Sequence, residues 1–172
     1  RRVLVLAPAR LVPQWRERMK QMFDIRLNEY VSAQDRGNDT FWEPNDAAVA
    51  SFQTLRMEQA RERLLRADPW DLVIVDEAHH FQAQERGTTL TFGLLKSLEE
   101  AKRVQSLVLF TGTPHRGKDY GFLALMGLVR PDLFSPERDM VSQLPDLHKA
   151  MIRNNKATVT DLKGNKLFQP VT

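Results

Sequence analysis

Cysteine is absent from all 172 residues, so neither a disulfide framework nor a thiolate metal site can form, and thiol redox chemistry is excluded. That absence suits a reducing cytoplasm, nucleoid-associated if the source is bacterial. Long apolar runs are lacking too. The opening Arg1-Arg2-Val3-Leu4-Val5-Leu6 imitates a secretory or twin-arginine leader, but Val3 to Leu6 is far shorter than a signal core, and nothing approaches the length of a membrane span. Nor is there a marked excess of charge: 25 Lys and Arg stand against 22 Asp and Glu, so bulk charge does not announce a nucleic-acid binder and any basic surface must be local. No internal repeat or low-complexity segment occurs. The length suits one globular domain with its own core. The chain starts without Met, directly at a strand, which gives the expectation of a piece from a longer protein.

What is present is an alternation of strands and helices. Val3 to Leu6 ends at Ala7-Pro8 as a strand buried on both faces does. From Leu11 through Phe23 the apolar Leu11, Trp15, Met19, Met22 and Phe23 recur at three- and four-residue steps, predicting an amphipathic helix. Ile25 to Tyr30 reads as a strand and residues 32 to 46 as a surface loop. In that loop Phe41 and Trp42 either pin the chain to the core or stack on bases. Strands are then expected at Ala47 to Phe52, over the aliphatic run Leu72 to Val75, and at Val104 to Phe110. Helices are expected at Leu55 to Arg66, Leu90 to Lys102, Tyr120 to Val129 and over most of 135 to 151, with a break from Gln82 to Gly87. Short strand-like pieces follow around Lys163-Gly164-Asn165. This order predicts an α/β fold with a mostly parallel sheet and ligands at the carboxyl ends of its strands.

The chemistry concentrates where Leu72-Val73-Ile74-Val75 runs into Asp76-Glu77-Ala78-His79-His80. Two carboxylates at the rim of a parallel sheet suit phosphoryl transfer, with Asp76 holding magnesium through water and Glu77 orienting and deprotonating an attacking water. The competing reading is a pair of surface acids at a helix start. The two histidines are expected to diverge by about 100 degrees on a helix, which disfavours zinc. His79 then relays the state of the nucleotide site.

Thr111-Gly112-Thr113-Pro114-His115-Arg116-Gly117-Lys118-Asp119 nearly spells the phosphate-binding loop G-x-x-x-x-G-K-[ST]. Asp119 stands where a hydroxyl should hold magnesium, however, and Pro114 removes an amide from the cradle. No other such stretch occurs.

Taken in order, APARLVPQW (Ala7 to Trp15), SFQTL (Ser51 to Leu55), DLVIVDEAHHF (Asp71 to Phe81) and LVLFTGTPHRG (Leu107 to Gly117) resemble the first RecA-like domain of superfamily two helicases. Within these they look most like the Swi/Snf-type double-stranded DNA translocases. GFLALMGLVRPDLF and IRNNKATVTDLKGNKLF extend the likeness.

The resemblance implies a three-layer RecA-like sandwich, missing its phosphate-loop strand. Residues 1–134 would be a partial ATP-binding domain, and 135–172 an extension toward an absent second RecA-like domain. It makes Asp76 and Glu77 the catalytic pair and gives His79, Thr111, Gly112 and Thr113 the coupling role, with the two threonines candidates for hydrogen bonds to the acids or His79. Arg10, Gln14, Ser51, Gln53 and Thr54 are assigned to the backbone of nucleic acid, most plausibly duplex DNA. ATP and magnesium belong to the full-length parent, with none expected tightly bound to this piece, which alone would not turn over ATP. An open edge on Val104 to Phe110 follows, and with it pairing to another chain or to the C-terminal segment. The alternatives are an RNA helicase, a restriction-type DNA motor, and a domain that binds DNA or protein without hydrolysis.

Overall fold

Leu4, Val5, Leu6 and Ala7 are all fully buried, which a strand achieves only with cover on both faces. They form β1 (Val3–Ala7) at the centre of a five-stranded sheet in this computed structural model, which describes residues 1–31, 41–81, 83–84, 87–112 and 119–152. The expectations for residues 32–40, for Thr113 and Pro114, and for the pieces around Lys163 lie outside the described residues.

The remaining strands of that sheet are β2 (Asn28–Glu29), β3 (Ala47–Ser51), β4 (Trp70–Val75) and β7 (Val104–Leu109); β5 (Ala83–Gln84) and β6 (Gly87–Thr88) form a separate antiparallel pair. The order is β2-β3-β1-β4-β7 with every neighbour parallel. Register is set across the centre by Leu4 opposite Ala48 on one side and Val73 on the other.

Alternation along the strands sorts the core into two layers. On one face Val5, Val49 and Ile74 meet Val12 and Met19 of α1 (Val12–Phe23). On the other, Leu4, Leu6, Val73 and Val75 join Leu64 of α2 (Glu58–Arg66) and Phe92, Leu95 and Leu98 of α3 (Leu90–Glu100). Helix α1 stops at Asp24, whose φ of 55° places it in the left-handed region with its amide on the Lys20 carbonyl. Helix α3 starts at Thr89, whose hydroxyl accepts the Phe92 amide at 3.2 Å. Helix α4 (Asp119–Val129) shares a smaller core with Phe134, against which Met140 of α5 (Met140–Gln143), Leu147 and Met151 pack. This is the expected α/β fold with helices on both faces of a parallel sheet.

Several boundaries differ from the sequence reading. The strand expected over Ile25 to Tyr30 shrinks to two residues, because β2 is an edge strand with one neighbour. The expected helix at Leu55 opens as one 3-10 turn, Thr54–Arg56, before α2 begins. The break after Phe81 contains the β5–β6 pair, and 140–149 is one short α-turn followed by 3-10 helix.

Trp42 settles the loop aromatics. It is fully buried, stacked on Tyr30 at 4.5 Å between ring centroids and edge-on to Trp70 at 6.0 Å. The Arg2 guanidinium lies 4.5 Å over the Trp70 ring and donates to the Trp42 carbonyl at 2.7 Å. Among the described residues no strand pairs with the outer edge of β7, whose Val108 is exposed, as is Phe110 just beyond it.

Candidate functional site

β1 sends its chain to one side of the sheet, toward α1, β2 and β3, while β4 continues to the other side, toward β7. The switch point therefore lies between β1 and β4, and a crevice opens beyond their carboxyl ends, where ligands of open α/β sheets bind. Asp76 and Glu77 follow β4 into this crevice; Ala9, Arg10 and α1 follow β1.

The Asp76 amide donates to the Leu6 carbonyl at 2.8 Å, which seats the residue directly beside β1. Its carboxylate accepts two hydrogen bonds: Oδ1 from the Glu77 amide at 2.8 Å and Oδ2 from the Trp15 indole Nε1 at 2.8 Å. Glu77 has φ 50° and ψ 46°, a left-handed conformation costing roughly 1–2 kcal/mol for a residue with a side chain. This turn throws the Glu77 side chain in a different direction from that of Asp76. Neither acid caps a helix by its side chain: the segment after them, Ala78–His80, is a single 3-10 turn with no side-chain cap. The pair thus stands at the start of a single 3-10 turn without capping it by a side chain.

His79 is buried, and its Nδ1 stands 3.0 Å from the Thr111 hydroxyl and 3.2 Å from Glu77 Oε2. The hydrogen bond expected of Thr111 is thus in place. It is supported by backbone bonds from Ala78 to the Phe110 carbonyl and from Phe110 to the Val75 carbonyl, both 2.8 Å. The expectation that the two histidine rings diverge is corrected. His80 is exposed, yet its ring centroid lies 4.3 Å from that of His79: the helical step fixes where each Cβ points, and the side-chain rotamers bring the two rings back together. Gly112 is exposed, with open space around the position of a Cβ.

Among the described residues no group of three metal-ligating side chains occurs. Magnesium needs no more than one or two carboxylates, with water and phosphate oxygens completing its shell. Asp76 alone meets that need.

The residues assigned to nucleic acid gather on the α1 side of the same crevice. Arg10 and Gln14 are exposed, and neither side chain makes a hydrogen bond among the described residues. Gln53 is exposed and accepts the Ala9 amide on its Oε1 at 3.1 Å, joining the loops after β1 and β3. Ser51 is buried; its hydroxyl lies 2.8 Å from that of Thr54 and accepts the Thr54 amide at 3.1 Å, so it shapes the turn behind Gln53. The amides at the start of the segment after β1 are largely spent within the chain. Ala9 donates to Gln53, Leu11 to Pro8 and Val12 to Ala9, and Pro13 has no amide.

One member of the site escapes sequence reasoning. Helical spacing places Trp15 on the inner face of α1, and its ring does pack against the α1-side core, but no periodicity shows that its N–H reaches Asp76.

A family model of the SNF2-related domain matches residues 1–165. The RNA polymerase-associated protein RapA of Actinobacillus pleuropneumoniae serotype 3 (strain JL03) is 28% identical over 193 aligned residues, covering 99% of this chain and 20% of that protein. RapA of serotype 5b (strain L20) is 28% identical over 156 residues, 84% of this chain and 16% of the relative. The chain spans about a fifth of the length of the curated relatives it matches. Among solved structures, the Sulfolobus solfataricus SWI2/SNF2 ATPase core in complex with dsDNA matches with TM-score 0.63 over 90% of this chain and 34% of that one. At 19% identity it is a likeness of fold. With a parallel sheet, an acid pair at its switch point and a family match over nearly its whole length, this chain belongs to the SNF2-related domain family.

Proposed function

We propose that this chain is the first RecA-like lobe of an ATP-dependent motor that moves along double-stranded DNA. The observation that carries the reading is the Asp76–Glu77 pair at the switch-point crevice, with Trp15 on one carboxylate and His79 on the other. In this reading Asp76 holds the magnesium of a bound nucleotide through water, and the ion neutralises charge on the phosphates when bound. Glu77 orients the attacking water and takes its proton. His79 and Thr111, with Thr113 and Gly112 beyond, report the state of that site to the end of β7. Arg10, Gln14, Gln53 and Thr54 lie along one strand of the duplex and touch phosphates, contacts that carry no base preference and suit stepping along any sequence. A SWI2/SNF2 relative of the same fold was solved with dsDNA, which supports the choice of polymer.

We further propose that residues 1–134 form the nucleotide-facing lobe and that 135–172 lead toward a second lobe supplying the arginine finger. The 172-residue chain has no G-x-x-x-x-G-K-[ST] stretch and by this reading is inactive alone.

The test is ATP hydrolysis by the full-length protein with duplex DNA, single-stranded DNA, RNA or no polymer, beside Glu77→Gln. Duplex-stimulated turnover that is lost in the variant supports the reading. Preferential RNA stimulation replaces it with an RNA helicase. No turnover with any polymer replaces it with a domain that works by binding.

A further inference from the structure

Trp15 has two attachments of different kinds. Its ring packs against the core on the α1 side of the sheet and lies 6.1 Å from the Phe110 ring, tilted by 39°. Its N–H crosses the crevice to Asp76 Oδ2 at 2.8 Å, linking residues 61 positions apart. A hydrogen bond accepted by a carboxylate is about twice as strong as one between neutral groups. The other oxygen is fixed by the Glu77 amide, which belongs to the same loop and moves with β4. The indole instead moves with α1. The carboxylate plane is therefore set by two donors that ride on different elements.

That helix also carries the exposed Gln14 next to Trp15, and Arg10 lies just before its start. Its approach is tied to the loop after β3 by the bond between Ala9 and Gln53. A phosphate backbone held by Arg10, Gln14 and Gln53 loads the helix from outside, and the first polar group inside that helix to feel the load is the indole on Asp76.

We propose that Trp15 is a positioning residue that transmits occupancy of the α1 and Gln53 face by a nucleic-acid backbone to the Asp76 carboxylate. The inference rests on the motor reading above and names the route by which the polymer stimulates its acid pair.

The full-length protein labelled with 5-fluorotryptophan gives a fluorine resonance for Trp15, assigned by its loss in Trp15→Phe. The expected results are that Asp76→Asn shifts this resonance without polymer, that duplex DNA shifts it in the wild type, and that Trp15→Phe lowers the ratio of turnover with and without duplex about tenfold, a usual size for coupling between sites. Replacement of Trp15 by benzothienylalanine, which keeps the ring volume and removes the N–H, gives the same loss of stimulation while the thermal midpoint falls by no more than the loss of one hydrogen bond allows. A resonance that stays put when duplex binds, or a benzothienylalanine protein stimulated as well as the wild type, overturns the proposal and leaves Trp15 a packing residue. A wild type that no duplex stimulates defeats the motor reading itself and this inference with it, a result told apart because it needs no variant.

Discussion

The Nδ1 of His79 stands between the Thr111 hydroxyl at 3.0 Å and Glu77 Oε2 at 3.2 Å, so one buried ring touches both an acid of the crevice and a residue two positions beyond β7. Removing that hydroxyl while keeping the shape should loosen the link more than the fold. Thr111→Val is expected to cost about 1 kcal/mol of stability, the net worth of one hydrogen bond. In the full-length protein it should reduce duplex-stimulated turnover more than turnover without polymer. Urea denaturation and paired ATPase assays check the two halves.

Glu77 is held at φ 50°, where a side chain is a burden and glycine is not. Glu77→Gly should therefore leave unfolding free energy equal to or above that of the wild type, while Glu77→Gln and Glu77→Gly both reduce turnover by about 10²-fold or more, the usual loss of a general base. A Glu77→Gly protein destabilised by more than about 1 kcal/mol would show that the side chain supports the fold and is not carried for chemistry.

Trp42 is fully buried between Tyr30 and Trp70. Trp42→Ala should cost about 3–5 kcal/mol, the range for deleting a large core aromatic. Duplex binding by any folded fraction should be unchanged, since the ring does not face the crevice. Chemical denaturation and a binding titration at low temperature separate these effects.

Val108 is exposed on the outer edge of β7 and Phe110 just beyond it, beside a groove that reaches Leu125, Met126 and Val129 of α4. Such an edge is a template for pairing. The 172-residue chain is expected to self-associate through it, with slow exchange of the outward amides of Leu107 and Leu109, which alternate with the Phe110 amide bonded to β4, and Val108→Lys should shift the chain toward monomer in sedimentation. A monomer whose edge amides exchange as fast as those of loops contradicts the expectation.

Arg130 donates to both oxygens of Asp132, at 2.8 and 2.7 Å, just beyond α4. This hydrogen-bonded guanidinium holds the Asp132 carboxyl below the ordinary carboxylate range. A carboxyl lowered on folding stabilises the native state above its unfolded pKa and stops doing so as pH falls through its folded one. Asp132→Asn should therefore lower the thermal midpoint slightly at neutral pH, and the two melting curves should converge in acid. The pair is open to solvent, which keeps the effect small.

The patterns that proved legible were local ones. Val3 to Leu6 and Leu72 to Val75 read as buried strands because apolar runs have no other stable use at that length, and Leu11 to Phe23 read as a helix because its spacing follows the helical turn. The end of β4 could be named as a candidate site because a buried strand running into Asp-Glu sets two acids at the carboxyl rim of the sheet, where ligands bind. Edges and short turns were less legible. β2 shortened because it has a single neighbour, and the β5–β6 pair lacks any strong alternation.

What the sequence by itself determined is therefore the alternation of elements, the parallel sheet and the position of the two acids, since each follows from backbone geometry over a few residues. The tertiary structure alone decided which groups touch those acids. The indole of Trp15 reaches Asp76 only because strand order sets β1 beside β4, and His79 meets Thr111 only because β7 is the next strand over. Ser51 turns inward while Gln53 binds the Ala9 amide because the loops after β1 and β3 end on neighbouring parallel strands. Contacts between residues dozens of positions apart are fixed by sheet order and packing, and neither leaves a period in the chain.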